Sequence, residues 1–148
     1  HPGASDPAKC WPAASFAALI SRLTDRYDLK VVLIGGPQTA AIAAEILRLS
    51  PKPALDLTGR TSVAQSAALL SRCRLLVSND SGPVHLAAGV GAFVISLFLR
   101  DQPGINPKRW KPLGLKGFFL STDSVTVDKV LDLVEDILRK DSQGIFYW

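Results

Sequence analysis

Apolar positions along the chain follow two alternating rhythms. Phe16, Leu19, Ile20 and Leu23 recur at helical spacing behind Pro12 and predict a helix that ends near Arg26 to Asp28. Val31-Val32-Leu33-Ile34 is unbroken instead, the mark of a strand buried on both faces in a parallel sheet. Gly35-Gly36-Pro37 ends it. Helical spacing returns from about Thr39 to Leu49, with Ile42, Ile46 and Leu49 as the inner face, until Pro51 and Pro53 stop it. Leu55-Asp56-Leu57 reads as a short strand, and Thr58-Gly59-Arg60 turns out of it. Ser62 as N-cap, with Gln65 as its capping-box partner, opens a third helix in which Ala68, Leu69 and Leu70 pack inward. Leu75 to Val77 forms the next strand. A polar turn, Ser78 to Gly82, follows. Pro83 suits the first helical position, because the amide it lacks would have no partner there. Val84, Leu86, Ala87 and Ala88 continue that helix to Gly89 and Gly91. Phe93 to Phe98 is a further buried strand, and Phe118-Phe119-Leu120 a last short one. Val127, Val130, Leu131, Val134, Ile137 and Leu138 stripe a final helix. This alternation predicts one α/β domain over residues 1–148, a Rossmann-like doubly wound parallel sheet.

Two stretches break the rhythm. Asp101 to Gly117 is rich in Pro and Gly, carries Lys108, Arg109, Lys111 and Lys116, and shows no period. Loops of that length in a compact domain usually serve a function or are disordered, so an anion-binding role stands beside that of a solvated face. The tail ends in Ile145-Phe146-Tyr147-Trp148, apolar enough to expect packing on this domain or on a partner. At the other end, His1 to Ser5 reads as a turn; a strand leading into it would lie ahead of His1.

Composition narrows the class. A chain of 148 residues with 47% hydrophobic and 20% charged residues reads as a soluble globular domain with a proper core. No apolar run approaches the ~20 residues of a membrane span, and no signal-peptide pattern is present. The sequence holds no Met and opens on His1-Pro2-Gly3, so a processed chain, or a portion of a longer one, is expected. The net charge of +4 favours an anionic partner but is too mild to demand nucleic acid, and no nucleic-acid motif occurs. Cys10 and Cys73 lack metal or redox spacing and read as half-buried thiols in a reducing compartment.

The candidate chemistry gathers at the polar turn after Leu75 to Val77. A strand, a tight turn and a helix N-terminus place Asp80, Ser81, Gly82 and His85 at one junction. Free amides and the positive end of a helix dipole suit an anion such as a diphosphate. In open α/β sheets ligands sit at the carboxyl ends of strands, where this turn lies. Asp, Ser and Gly are also ordinary turn and cap residues. A His in the first helical turn is less expected, because a protonated imidazole is disfavoured there.

An ordered set of motifs resembles one family. His1-Pro2-Gly3-Ala4-Ser5, Lys9, Trp11-Pro12, Val32 to Pro37, Asp56 to Ser62 and, above all, Leu69 to Ala88 resemble the C-terminal domain of glycosyltransferase family 9, which contains the heptosyltransferases of the lipopolysaccharide inner core. The resemblance covers His1 to about Gly114. It implies the nucleotide-sugar half of a two-domain GT-B enzyme that transfers heptose from an ADP-sugar, with inversion and without a metal or other cofactor. The implied partners are that donor, an anionic lipid-linked saccharide acceptor and the N-terminal acceptor domain, absent from this sequence, which would supply the catalytic base. The implied setting is the cytoplasm, at the inner face of the inner membrane. The implied donor contacts are Ser5 and Lys9 on phosphate, Gln38 toward ribose, Thr61, the Asp80-Ser81-Gly82 turn with Asp80 on sugar hydroxyls, and His85 on the diphosphate. Gln38 stands where the family usually carries an acidic residue, and Leu99 to Gly104 replaces its Gly-Pro-Thr-Asp-Pro.

Two other readings compete. A nucleotide-sugar epimerase of the same architecture would need acid and base groups on the sugar, for which only Asp80 and His85 stand ready. A non-catalytic nucleotide-binding module would need neither. A dinucleotide dehydrogenase is disfavoured, since no Gly-x-Gly-x-x-Gly follows a strand.

Overall fold

The computed structural model describes residues 1–100, 107, 111, 112, 114 and 116–142. Most of the 101–117 loop and the aromatic end of the tail lie outside the described residues. Within them the chain runs α1 (Ala13–Tyr27), β1 (Val32–Leu33), α2 (Ala40–Leu49), β2 (Leu55–Asp56), α3 (Val63–Leu70), β3 (Leu75–Asn79), α4 (Gly82–Gly89), β4 (Phe93–Phe98), β5 (Gly117–Ser121) and α5 (Val127–Ser142). Short 3-10 turns occupy Pro7–Lys9, Pro37–Thr39 and Thr122–Ser124.

Every strand pairing is parallel. Among the described residues β3, β4 and β5 form one ladder, and β1 pairs with β2 alone. Side chains on a strand alternate between faces, and β4, buried throughout, shows the consequence. Phe93, Ile95 and Leu97 enter one core with α1, α2 and α5; Val94 enters a second with Leu70 of α3 and Val84 and Ala87 of α4. Helices therefore cover both faces, the doubly wound α/β arrangement expected from the sequence. Trp11 joins the first core, edge-on to Phe16 at 5.0 Å, and its indole N–H donates to the Val125 carbonyl at 3.2 Å.

Several expectations shift in detail. Leu49 is 38% exposed, and Ala43 and Ile46 form the buried face of α2 instead, since a small residue lets α2 approach α1. Ala68 is exposed; Leu70 alone of its trio is fully buried. β1 and β2 are only two residues each, and Leu55 is 56% exposed on an outer edge. The largest revision is at β3, which continues through Ser78 and Asn79, both fully buried, so the polar turn begins only at Asp80. Gly82 takes the first position of α4 and Pro83 the second. The Ser62–Gln65 capping box forms in both directions, at 3.2 and 2.9 Å.

Candidate nucleotide site at the strand ends

The chain places its polar turn by satisfying buried groups first. The Asn79 side chain points from the end of β3 into the first loop. Its Oδ1 accepts the Trp11 N–H at 3.0 Å, and its Nδ2 donates to the Pro2 carbonyl at 2.7 Å. A buried amide with both ends paired fixes geometry, because losing either partner leaves an unsatisfied group. The loop from His1 to Trp11 is thereby fastened across the carboxyl end of β3.

Lys9 lies on that loop, and its Nζ donates to Asp80 Oδ2 at 3.3 Å. Their side chains are 16% and 10% exposed, so the pair is largely shielded from water. An ammonium has three donors, and the bond to Asp80 engages one. The structure thus brings together two residues to which the sequence reading gave separate tasks.

Ser81 occupies the N-cap of α4 but caps nothing with its side chain. Its Oγ donates to the Asn79 carbonyl at 3.0 Å and lies 3.0 Å from Nδ1 of His1. Pro83 has no N–H, and the Val84 N–H goes to the Ser81 carbonyl. The N-cap side chain therefore makes no bond to the amides at the start of the helix. Gly82 is exposed, with nothing within 4 Å of where a Cβ would stand.

The open space belongs to a cleft of about 610 Å³ between Gly35–Gly36, the start of α3 and the start of α4. Thr61, Gly82 and His85, three of the predicted contacts, line it. Thr61 Oγ1 sits 2.9 Å from Ser66 Oγ. The turn before it is held by Asp56, whose Oδ1 accepts from both the N–H and the O–H of Thr58, at 2.9 and 2.7 Å. Those bonds hold the Asp56 carboxyl below its ordinary value. Ser5 and Gln38 are exposed, and Asp80, Ser81 and Lys9 stand beside the α4 terminus without lining the cleft. Lys116, from the basic loop, lies 5.0 Å over the Phe93 ring.

Gly35, Gly36, Val63, Ser66 and Leu86 line the cleft unforeseen. Val63, the first residue of α3, is 74% exposed. Gly35 is there for its backbone. Its φ is +152°, and a Cβ would lie 2.6 Å from Oγ1 of the buried Thr39. Gly35→Ala is expected to destabilise the fold by about 1–3 kcal/mol through strain at this position. Chemical denaturation checks this, and an unchanged midpoint would remove the constraint.

Among the described residues no three His, Cys, Asp or Glu side chains could hold a metal ion. No helix among them is long and apolar enough to cross a membrane. Cys10 and Cys73 are free, half-buried thiols, each pushed up in pKa chiefly by burial.

Fold and site together define a Rossmann-like α/β domain with a cleft at the start of α4, at its strand ends. Residues 1–125 match the model of glycosyltransferase family 9 (heptosyltransferase), and the chain belongs to that family. Lipopolysaccharide heptosyltransferase 2 of Escherichia coli K12 is 33% identical over 111 residues, which are 72% of this chain and 32% of that protein. The solved structure of E. coli ADP-heptose lipopolysaccharide heptosyltransferase II superposes with a TM-score of 0.84 at 28% identity, over 95% of this chain and 46% of that one. E. coli heptosyltransferase WaaC with ADP shares the fold, with a TM-score of 0.77 at 20% identity over 92% of this chain and 42% of that one. The chain thus spans about a third of the length of the E. coli K12 relative.

Proposed function

We propose that this domain binds the donor of a heptosyltransferase, an ADP-sugar, with its diphosphate at the start of α4. The observation that carries the reading is the helix terminus itself: Ser81 leaves it uncapped, Gly82 leaves it open, and Lys9 stands beside it. A diphosphate needs amide donors and a cation in one place, and this corner offers both. The relatives support the sugar, since those enzymes are named for heptosyl transfer and, in one case, for ADP-heptose. The basic balance of the chain suits anionic ligands.

In this reading the nucleotide follows the cleft past Gly35–Gly36 and Thr61, where Gln38 offers an amide to the ribose. Asp80 presents its carboxylate to sugar hydroxyls. As the glycosidic bond breaks, negative charge grows on the departing diphosphate, and Lys9, the α4 terminus and His85 hold that charge where it develops. The acceptor is an anionic lipid-linked saccharide of the lipopolysaccharide inner core. The base that activates its hydroxyl belongs to an N-terminal domain not in this sequence, so the residues 1–148 bind donor without transferring it. The whole enzyme works without a metal in the cytoplasm, at the inner membrane face. Calorimetric titration of the folded chain with ADP, and with other nucleoside diphosphates beside it, tests the reading. Saturable ADP binding is expected; its absence at millimolar ADP would overturn it.

A further inference from the structure

A cluster of polar groups closes the gap between the end of β3 and the start of α4. Ser81 Oγ donates to the Asn79 carbonyl at 3.0 Å, lies 3.0 Å from Nδ1 of His1 and lies 3.2 Å from Ser78 Oγ. Ser78 Oγ donates to the same carbonyl at 2.7 Å and stands 3.3 Å from the same Nδ1. The hydroxyl of Ser81 is therefore held on the β3 side, and none of these partners belongs to α4.

That arrangement runs against local preference. Ser81 is the N-cap of α4 and its backbone is extended, the setting in which a serine ordinarily turns its hydroxyl onto the helix amides. Pro83, second in the helix, has no N–H, so the cap bond would go to Val84, third in the helix, whose N–H now reaches the Ser81 carbonyl at 3.1 Å. Ser78 and Asn79 are fully buried and fixed within β3. The His1 imidazole is the member of the cluster that comes from elsewhere, 80 residues from Ser81 along the chain.

We propose, on the strength of the donor-site reading, that His1 is a positioning residue: its imidazole keeps the Ser81 hydroxyl against β3 and so leaves the start of α4 open to a phosphate. Without the imidazole the hydroxyl loses a partner and turns to Val84. A cap oxygen then lies at the positive end of the helix and offsets the charge that draws an anion there. Cap and phosphate compete for one helix end, and binding weakens by what the cap is worth. The effect of the Ser81 hydroxyl on binding thus changes with the residue at position 1.

Calorimetric titration of the full chain with ADP tests this on the wild type, His1→Ala, Ser81→Ala and the double variant, with a melting curve for each. His1→Ala should weaken ADP binding by roughly three- to tenfold, within the worth of an N-cap bond. Adding Ser81→Ala to it should recover most of that loss, because no hydroxyl remains to cap the helix. His1→Asn, whose side-chain amide can reach the place of Nδ1 and hydrogen-bond there, should bind ADP more tightly than His1→Ala. Should His1→Ala fail to fold, His1→Leu, which fills the space without a polar atom, carries the same comparison in both Ser81 backgrounds. A double variant that binds ADP no more tightly than the single His1 variant would overturn the proposal, since a hydroxyl in direct contact with phosphate, or a first loop merely loosened, gives that result. Absence of ADP binding by the wild-type chain would overturn the donor-site reading itself, and this proposal with it.

Discussion

Asn79→Ala should cost more stability than any other single side-chain truncation at the strand ends. The side chain is completely buried and answers two backbone groups at once, the Trp11 N–H and the Pro2 carbonyl. Pro2 and Trp11 are themselves buried, so water cannot simply take over. Each stranded group costs about 1–3 kcal/mol, giving roughly 2–6 kcal/mol for the pair. The loss should appear as a lower denaturant midpoint with little change in slope, because the amount of surface exposed on unfolding hardly changes. Exchange at the Trp11 amide should also quicken, since its acceptor is gone. Ser62→Ala provides the contrast: it removes an exposed cap whose loss costs only about 0.5–2 kcal/mol. If Asn79→Ala proved no worse than Ser62→Ala, the fastening of the first loop would have to lie elsewhere.

Nothing in the sequence marks Asn79 for this role, although it lies in the stretch where the candidate chemistry gathers. Apolar periodicity located the strands and helices because burial on a regular element forces it. It placed Phe93 to Phe98 at its true limits and all six stripe residues of α5 within the first core or packed upon it. Periodicity says nothing about a polar residue that is buried because its partners arrive from far along the chain. Asn79 meets Trp11 across 68 residues and Pro2 across 77, so the sequence alone places it in the polar turn Ser78 to Gly82. The same blindness separated Lys9 from Asp80, which pair over a separation of 71. Edge effects hid Leu49 and Leu55, whose apolar side chains fit the local period and yet face outward where the neighbouring layer stops. The cleft glycines were legible as turn residues, but the reason for Gly35 lies in its closeness to Thr39, which only the folded chain shows.

The Lys9–Asp80 pair yields the largest expected effects on binding, and the two halves should part company. Lys9→Ala removes a cation that is 16% exposed and stands beside an uncapped helix terminus. Under the donor-site reading, ADP binding should weaken by about 1.5–3 kcal/mol, the usual worth of a hydrogen bond to a charged group. Asp80→Asn acts in the opposite direction on the same atom. It keeps the size of the side chain but removes the charge that engages the Lys9 ammonium at 3.3 Å, leaving that ammonium freer for phosphate. ADP should then bind as well as before or more tightly, while an ADP-sugar, deprived of the carboxylate that receives its hydroxyls, should bind more weakly. The rival account makes Asp80 a structural residue that positions Lys9 and closes the turn. On that account Asp80→Asn would lower the denaturation midpoint, and ADP and ADP-sugar would lose affinity together. Calorimetry with both ligands on both variants, beside a melting curve for each, separates the two accounts. Parallel losses for ADP and ADP-sugar in Asp80→Asn would sink the sugar contact, and an unchanged ADP affinity in Lys9→Ala would take the phosphate away from this corner of the fold.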